Sequence, residues 1–208
     1  MKLSNNKYTV INLGSNLIAF ITSMLIGFFL SPYIIEHLGA EANGFTQLAN
    51  NFVTYASLVT LALNSMAGRF MSIEYHRNNT NEVKKYYSSL VIGNITIIII
   101  FVILGIYIVG RLENFINIES DLLDVKILFA FVFLNFYVSQ INSLLMTSTY
   151  VTNKLFYQNI INVITNIIRA FILIGLFGFF NPHMFYVSFA GMFVSVLSLP
   201  ASFLVKKK

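Results

Sequence analysis

The chain has 208 residues, 57% of them hydrophobic and only 10% charged, with a formal net charge of +5. A mean hydropathy of +0.75 excludes an ordinary soluble domain, and with it the nucleic-acid partner that a positive charge would otherwise suggest. There is no cysteine, so disulfides and thiolate metal sites are excluded.

A hydrocarbon core takes about 20 apolar residues of helix to cross, and six stretches reach that length. The expected helices are 9–36, 44–76, 86–111, 122–152, 156–180 and 183–205. The first is too long for a signal-peptide core and lacks a small-residue cleavage site, so it should persist as a helix. Pro32 lies near its outer end, where a kink costs least. Leu38-Gly39-Ala40 with Asn43-Gly44 predicts a short outer turn between helices one and two, and Asn181-Pro182 a shorter one between five and six. Connections this short make neighbours antiparallel. The fold class is therefore all-α: a polytopic up-down bundle of six transmembrane helices forming a single membrane lobe over 1–208. Tyr8, Tyr33, Tyr86, Phe115, Tyr157, Phe180 and Tyr186 fall near the expected interfaces, as an aromatic belt requires.

Orientation follows from charge. With the N-terminus inside, the inner segments hold Lys2, Lys7, Arg77, Lys84, Lys85, Lys154, Lys206, Lys207 and Lys208, and the outer ones only Arg111 and Lys126. Positive residues resist translocation, so both termini are expected in the cytoplasm, Lys84 and Lys85 inside and Glu119 outside.

The polar residues within the helices form stripes. Helix five places Asn159, Asn162, Asn166 and Arg169 at spacings of three, four and three, and helix four places Asn135, Ser139, Asn142, Thr149 and Asn153 on one face. Helix one carries Asn12, Asn16, Ser23 and Gly27; helix two carries Gln47, Asn50, Thr54, Ser57 and Asn64. Helix six has a smaller serine set (Ser188, Ser195, Ser198 and Ser202), and helix three little beyond Asn94 and Thr96, so helix three should face lipid broadly. Such stripes serve either as packing seams between membrane helices or as the lining of a hydrated cavity. The serines of helix six fit a seam. The amides of helices one, two, four and five are hard to pair within a dry seam, and unsatisfied polar groups are costly in lipid, which favours a cavity.

Two arginines sharpen that choice. Arg169 lies about halfway along helix five, where a charge costs at least ~2.5 kcal/mol and is usually kept facing a cavity or partner. Arg69 lies about two turns from the inner end of helix two, and either snorkels to the headgroups or acts as a ligand. No carboxylate occupies the middle of any helix. The unbalanced positive charge suits an anionic guest such as a phosphate or pyrophosphate, which guanidinium holds bidentately. His37, His76 and His183 show no metal spacing, and no phosphate loop, nucleophile motif or carboxylate pair appears. Neither an enzyme nor a cofactor is expected.

Asn12-Leu13-Gly14-Ser15-Asn16, Leu30-Ser31-Pro32-Tyr33-Ile34-Ile35, Leu38-Gly39-Ala40-Glu41-Ala42-Asn43-Gly44-Phe45 and Leu63-Asn64-Ser65-Met66-Ala67-Gly68-Arg69-Phe70 resemble the opening of bacterial polysaccharide flippases. These are the O-antigen and capsule repeat-unit translocases of the multidrug/oligosaccharidyl-lipid/polysaccharide exporter superfamily. The specific part of the likeness covers roughly the first 75 residues; beyond it only helix count and polar striping match. The resemblance implies two six-helix lobes around a cationic cavity in the bacterial inner membrane. It implies transport of an undecaprenyl-pyrophosphate-linked oligosaccharide by alternating access, and a polysaccharide polymerase as a further partner. Family members have twelve or more helices, so this chain looks like an N-terminal lobe that needs a C-terminal lobe or a second copy. On that view Arg169 and Arg69 hold the pyrophosphate, while Asn12, Asn16, Asn64, Asn135, Asn142, Asn159, Asn162 and Asn166 offer hydrogen bonds to sugar. A multidrug cation exporter of the same superfamily would want a buried carboxylate, which is missing. A non-transporting membrane scaffold would use the stripes only as helix interfaces.

Overall fold

The computed structural model describes residues 2–118 and 121–206, and the side chains of 7–118 and 121–205. Glu119, Lys207 and Lys208, and the side chains of Lys2 and Lys206, on which the orientation expectation partly rests, lie outside the described residues. Helix α1 runs Lys2–His76, α2 Thr80–Gly110, α3 Leu122–Val151, α4 Phe156–Phe179 and α5 Phe185–Lys206, with a single 3₁₀ turn at Leu112–Asn114. Among the described residues five helices are long and apolar enough to cross a membrane, against the six expected.

The difference in count lies in α1. Its 75 residues would run ~110 Å if straight, far beyond a hydrocarbon core of about 30 Å. The helix breaks instead at Gly39, with φ 81 and ψ 170, a backbone region essentially confined to glycine. Two arms result, residues 2–38 and 40–76. The predicted outer turn between positions 38 and 44 thus contracts to one residue, because helix resumes immediately after Gly39. Pro32 does not interrupt the first arm. Helix α2 begins six residues before the expected start at 86, since Asn79 caps it by accepting from the Glu82 backbone N–H.

The connections fall at two ends. At one, Phe45 and Ala49 of α1, Leu112 of the 3₁₀ turn, and Val125, Leu128 and Phe129 of α3 form a buried cluster. Asp124 accepts there from the Met184 backbone N–H at 3.0 Å. At the other, Met71, Leu90, Leu144 and Val151 pack α1, α2 and α3 together. A third cluster, Ile34 with Leu173, Phe177, Val187 and Ala190, fastens the first arm to α4 and α5. The arms and helices therefore alternate up and down. Phe20, Phe28, Ile103, Phe171 and Leu204 are among many large apolar side chains left exposed, as lipid-facing positions require.

Helix α2 was expected to face lipid broadly, and Ile92, Ile99, Ile103 and Ile106 do project outward. Its one deep polar residue behaves otherwise. Asn94 is fully buried and donates to Asn64 Oδ1 at 2.9 Å and to the Leu90 carbonyl at 2.9 Å. Small residues let the helices approach: a Cβ at Gly105 would sit 2.8 Å from the Tyr137 hydroxyl, and one at Gly93 2.9 Å from Leu63.

Candidate functional site

The two arms of α1 and the face of α4 line a polar cavity of ≈ 300 Å³ that is open on one side. Ser23 and Gly27 line it from the first arm, Thr46, Gln47 and Asn50 from the second, and Asn166 and Arg169 from α4. That both arms share one cavity shows that α1 doubles back at Gly39. A Cβ at Gly27 would meet nothing within 4 Å, so the space beside the first arm is unfilled.

Arg169 is the charge in this site. It lies 13 residues from the start of α4 and 10 from its end, or roughly 15–20 Å from either terminus, too far to reach water along the helix. Its Nε is buried without a hydrogen-bond partner. Gly191 of α5 lies beside the guanidinium: a Cβ there would sit in ordinary contact, 3.6 Å from the Arg169 Nε and 3.5 Å from the Asn135 amide nitrogen. The ion pairs among the described residues all lie near the helix ends and none includes Arg169. A guanidinium facing a polar cavity without a counter-ion has the charge and the donor geometry to hold an anion.

The stripe on α4 divides between neighbours. At about 100° per residue, Asn159 and Asn166 project within ~20° of each other, and Asn162 and Arg169 lie some 40–80° further round. The first pair reaches α1: Asn159 donates to Ser15 Oγ at 2.9 Å and Asn166 to Ser23 Oγ at 2.9 Å. Asn162 instead lines a second polar cavity of ≈ 170 Å³ between α3, α4 and α5, with Gln158, Ser139 and Ser143. A stripe of this width is read by two partners.

The other amides are largely committed to helix contacts. Asn142 donates to the Ser195 carbonyl at 3.1 Å and to Ser198 Oγ at 3.0 Å, and accepts from Ser202 Oγ at 2.7 Å, which saturates the α3–α5 seam. Asn135 accepts from Ser195 Oγ at 2.6 Å in the same seam. Asn64 accepts from Asn94 and donates to Ser143 Oγ at 3.2 Å, where α1, α2 and α3 meet. Asn12 donates to the carbonyl and Oδ1 of Asn153, both at 2.9 Å, and accepts from the Phe156 backbone N–H at 3.0 Å. Asn16 is exposed and lines neither cavity.

The two arginines are not brought together. Arg69 is exposed and lies 19 residues beyond Asn50 on the same arm, ~28 Å along the helix axis. Of the ten residues singled out by sequence, Arg169 and Asn166 line the larger cavity, and Asn142 and Asn162 the smaller. Gln47 and Asn50 belonged to a recognised stripe but carried no charge to single them out. Gln158 and Ser143 had no signal beyond their polarity.

Fold and cavities define a multi-pass α-helical membrane protein with a polar, cation-bearing cavity between its helices. The chain is 27% identical over 203 residues to the uncharacterized membrane protein EpsK of Bacillus subtilis (strain 168), a match that covers 97% of this chain and 40% of that protein. It thus spans about two-fifths of the length of this relative. No family model matches the chain, and no solved structure matches it either.

Proposed function

We propose that the chain forms the N-terminal part of a transporter that moves undecaprenyl-pyrophosphate-linked oligosaccharides across the bacterial inner membrane, both termini cytoplasmic, for surface polysaccharide export. The observation that carries this reading is Arg169: a mid-helix guanidinium with an unpartnered Nε, facing a polar cavity lined from three sides. Pyrophosphate matches it in charge and in bidentate geometry. Gln47 and Asn50 of α1 and Asn166 of α4, lining the same cavity, are hydrogen-bonding groups of the kind a sugar takes. The length of the EpsK relative supports a working unit with a second lobe, or a second copy, closing the open side. Alternating access around a midplane site is the mechanism such a pair would use. A polysaccharide polymerase is the proposed consumer of the flipped product.

The scaffold reading has its own support, since Asn12, Asn64, Asn142 and Asn159 all bond across helices. Arg169 separates the two. In the native bacterium, Arg169→Lys should retain part of the export and Arg169→Ala should lose most of it, with lipid-linked sugar accumulating and protein abundance unchanged. Full export by Arg169→Ala, or loss of both variants through reduced abundance, would remove the arginine from transport.

A further inference from the structure

A third cavity, apolar in character and ≈ 460 Å³ in volume, opens at the end of the bundle where α2 begins and α3 stops. Met71, Val83, Leu145 and Val151 wall it, and Lys84 stands at its mouth. From Lys84 and Val151 inward to Ser88 and Leu145 it penetrates four to six residues of helix, on the order of 6–9 Å. That depth, measured from the helix ends, is the zone where a lipid's glycerol and first acyl carbons lie.

The charges around the mouth are unequal. Arg77 is paired with Glu74 at 2.9 Å and Lys85 with Glu82 at 2.6 Å. Lys84 enters no ion pair among the described residues and faces the cavity. Ser148, also on the wall, keeps a buried hydroxyl with no partner, although Thr147 and Thr152 beside it are bonded to backbone carbonyls. An unpaired cation above an apolar hollow, with a spare hydroxyl between, matches a phosphate, an acyl chain and an ester oxygen in that order.

We propose that this cavity binds an anionic glycerophospholipid of the adjoining leaflet. Its phosphate lies at the Lys84 ammonium, an ester oxygen accepts from Ser148 Oγ, and the acyl carbons fill the space against Met71 and Leu145. The assignment does not depend on the transport reading, because it concerns different residues at the membrane surface.

The test is native mass spectrometry of the full chain released from nanodiscs containing equal phosphatidylglycerol and phosphatidylcholine. The wild type should retain phosphatidylglycerol preferentially. One basic residue near an anionic lipid surface is worth about fivefold in binding, so Lys84→Ala should lower that retention about fivefold. Lys85→Ala removes the same charge next door but leaves the site intact, and should leave retention unchanged. Ser88→Trp, which fills the cavity from its inner end without altering charge, should abolish it at an unchanged melting temperature. Equal losses in Lys84→Ala and Lys85→Ala, equal retention of both lipids, or persistence in Ser88→Trp would overturn the proposal. So would displacement of phosphatidylglycerol by equimolar polyprenyl phosphate, which would hand the cavity to an isoprenoid carrier.

Discussion

Replacing Asn12 by alanine tests whether the amide stripe of the first arm holds the bundle together or faces a guest. Asn12 is buried at 8% exposure and its amide makes three hydrogen bonds across the α3–α4 connection. Asn153, which receives two of them, sits at φ 57, a left-handed conformation that asparagine tolerates better than most residues. Polar contacts between membrane helices average about 0.6 kcal/mol each, and buried groups left unpaired raise the cost toward ~1 kcal/mol each. The sum is about 2–3 kcal/mol. Asn16, one turn along the same sequence stripe, is exposed and takes no part in the clamp, so Asn16→Ala should stay within about 0.5 kcal/mol of wild type. Both variants gain the same helix propensity, which cancels in the comparison. The assay is reversible unfolding in mixed micelles by titrating a denaturing detergent, followed by circular dichroism. Identical midpoints for Asn12→Ala and Asn16→Ala would refute the assignment of Asn12 to structure.

Three further outcomes are expected. Gly39→Ala should cost about 1–3 kcal/mol in the same assay, since the backbone at φ 81 is nearly closed to alanine although nothing lies within 4 Å of the added carbon; an unchanged midpoint would contradict the hinge. Gly105→Ala should be nearly neutral, because ~1 kcal/mol of helix propensity offsets displacement of the Tyr137 hydroxyl from the Phe101 carbonyl. Gly105→Leu should drive α2 and α3 apart and lower the melting temperature sharply. At the opposite end from Lys84, the hydrogen bond from Lys126 at 2.7 Å holds the Glu113 carboxyl below its ordinary value of 4.5. The ionised form is the one favoured by folding, so any stabilisation is present above pH 4.5 and is lost as pH falls through the lower folded value. Carbon-detected NMR should find a depressed Glu113 titration that rises toward the ordinary range in Lys126→Ala, where the backbone hydrogen bond at Glu113 and the charge of Arg111 remain.

Membrane class and alternating helix direction were legible because lipid leaves the chain few options: twenty apolar residues and polar, aromatic-flanked connections specify a spanning helix almost alone. The count of continuous helices differed at Gly39, where sequence shows a glycine but not whether one residue or seven makes the reversal. The stripes were legible as stripes, but not as seams or cavities. Asn142 and Asn162 look alike in sequence and both line the smaller cavity, yet the first is also bonded by three α5 groups. Which outcome an amide meets depends on what the neighbouring helix places opposite it, and that requires the packing. Asn94 was underestimated for the same reason, since a lone amide among isoleucines gives no hint that Asn64 waits across the interface.

The position of Arg169 follows from the hinge. Gly39 joins the two arms of α1, and both arms line one cavity together with α4. Near Gly39, Ile34 packs against Leu173 and Phe177 at the border of this cavity, and Asn43 lines it from the second arm. Further along, Ser23 and Gly27 on one arm face the same opening as Gln47 and Asn50 on the other. These residues lie 8–16 positions from Gly39 on either side, or roughly 12–24 Å at 1.5 Å per residue, which is the depth of a bilayer midplane from its edge. Arg169, one turn from Leu173 on α4, lines the same opening. A mid-membrane charge is tolerated only beside water, a partner or a guest, and the cavity lined by both arms supplies the space. The same single-residue reversal that removes one loop from the expected topology therefore creates the chamber in which the arginine can stand.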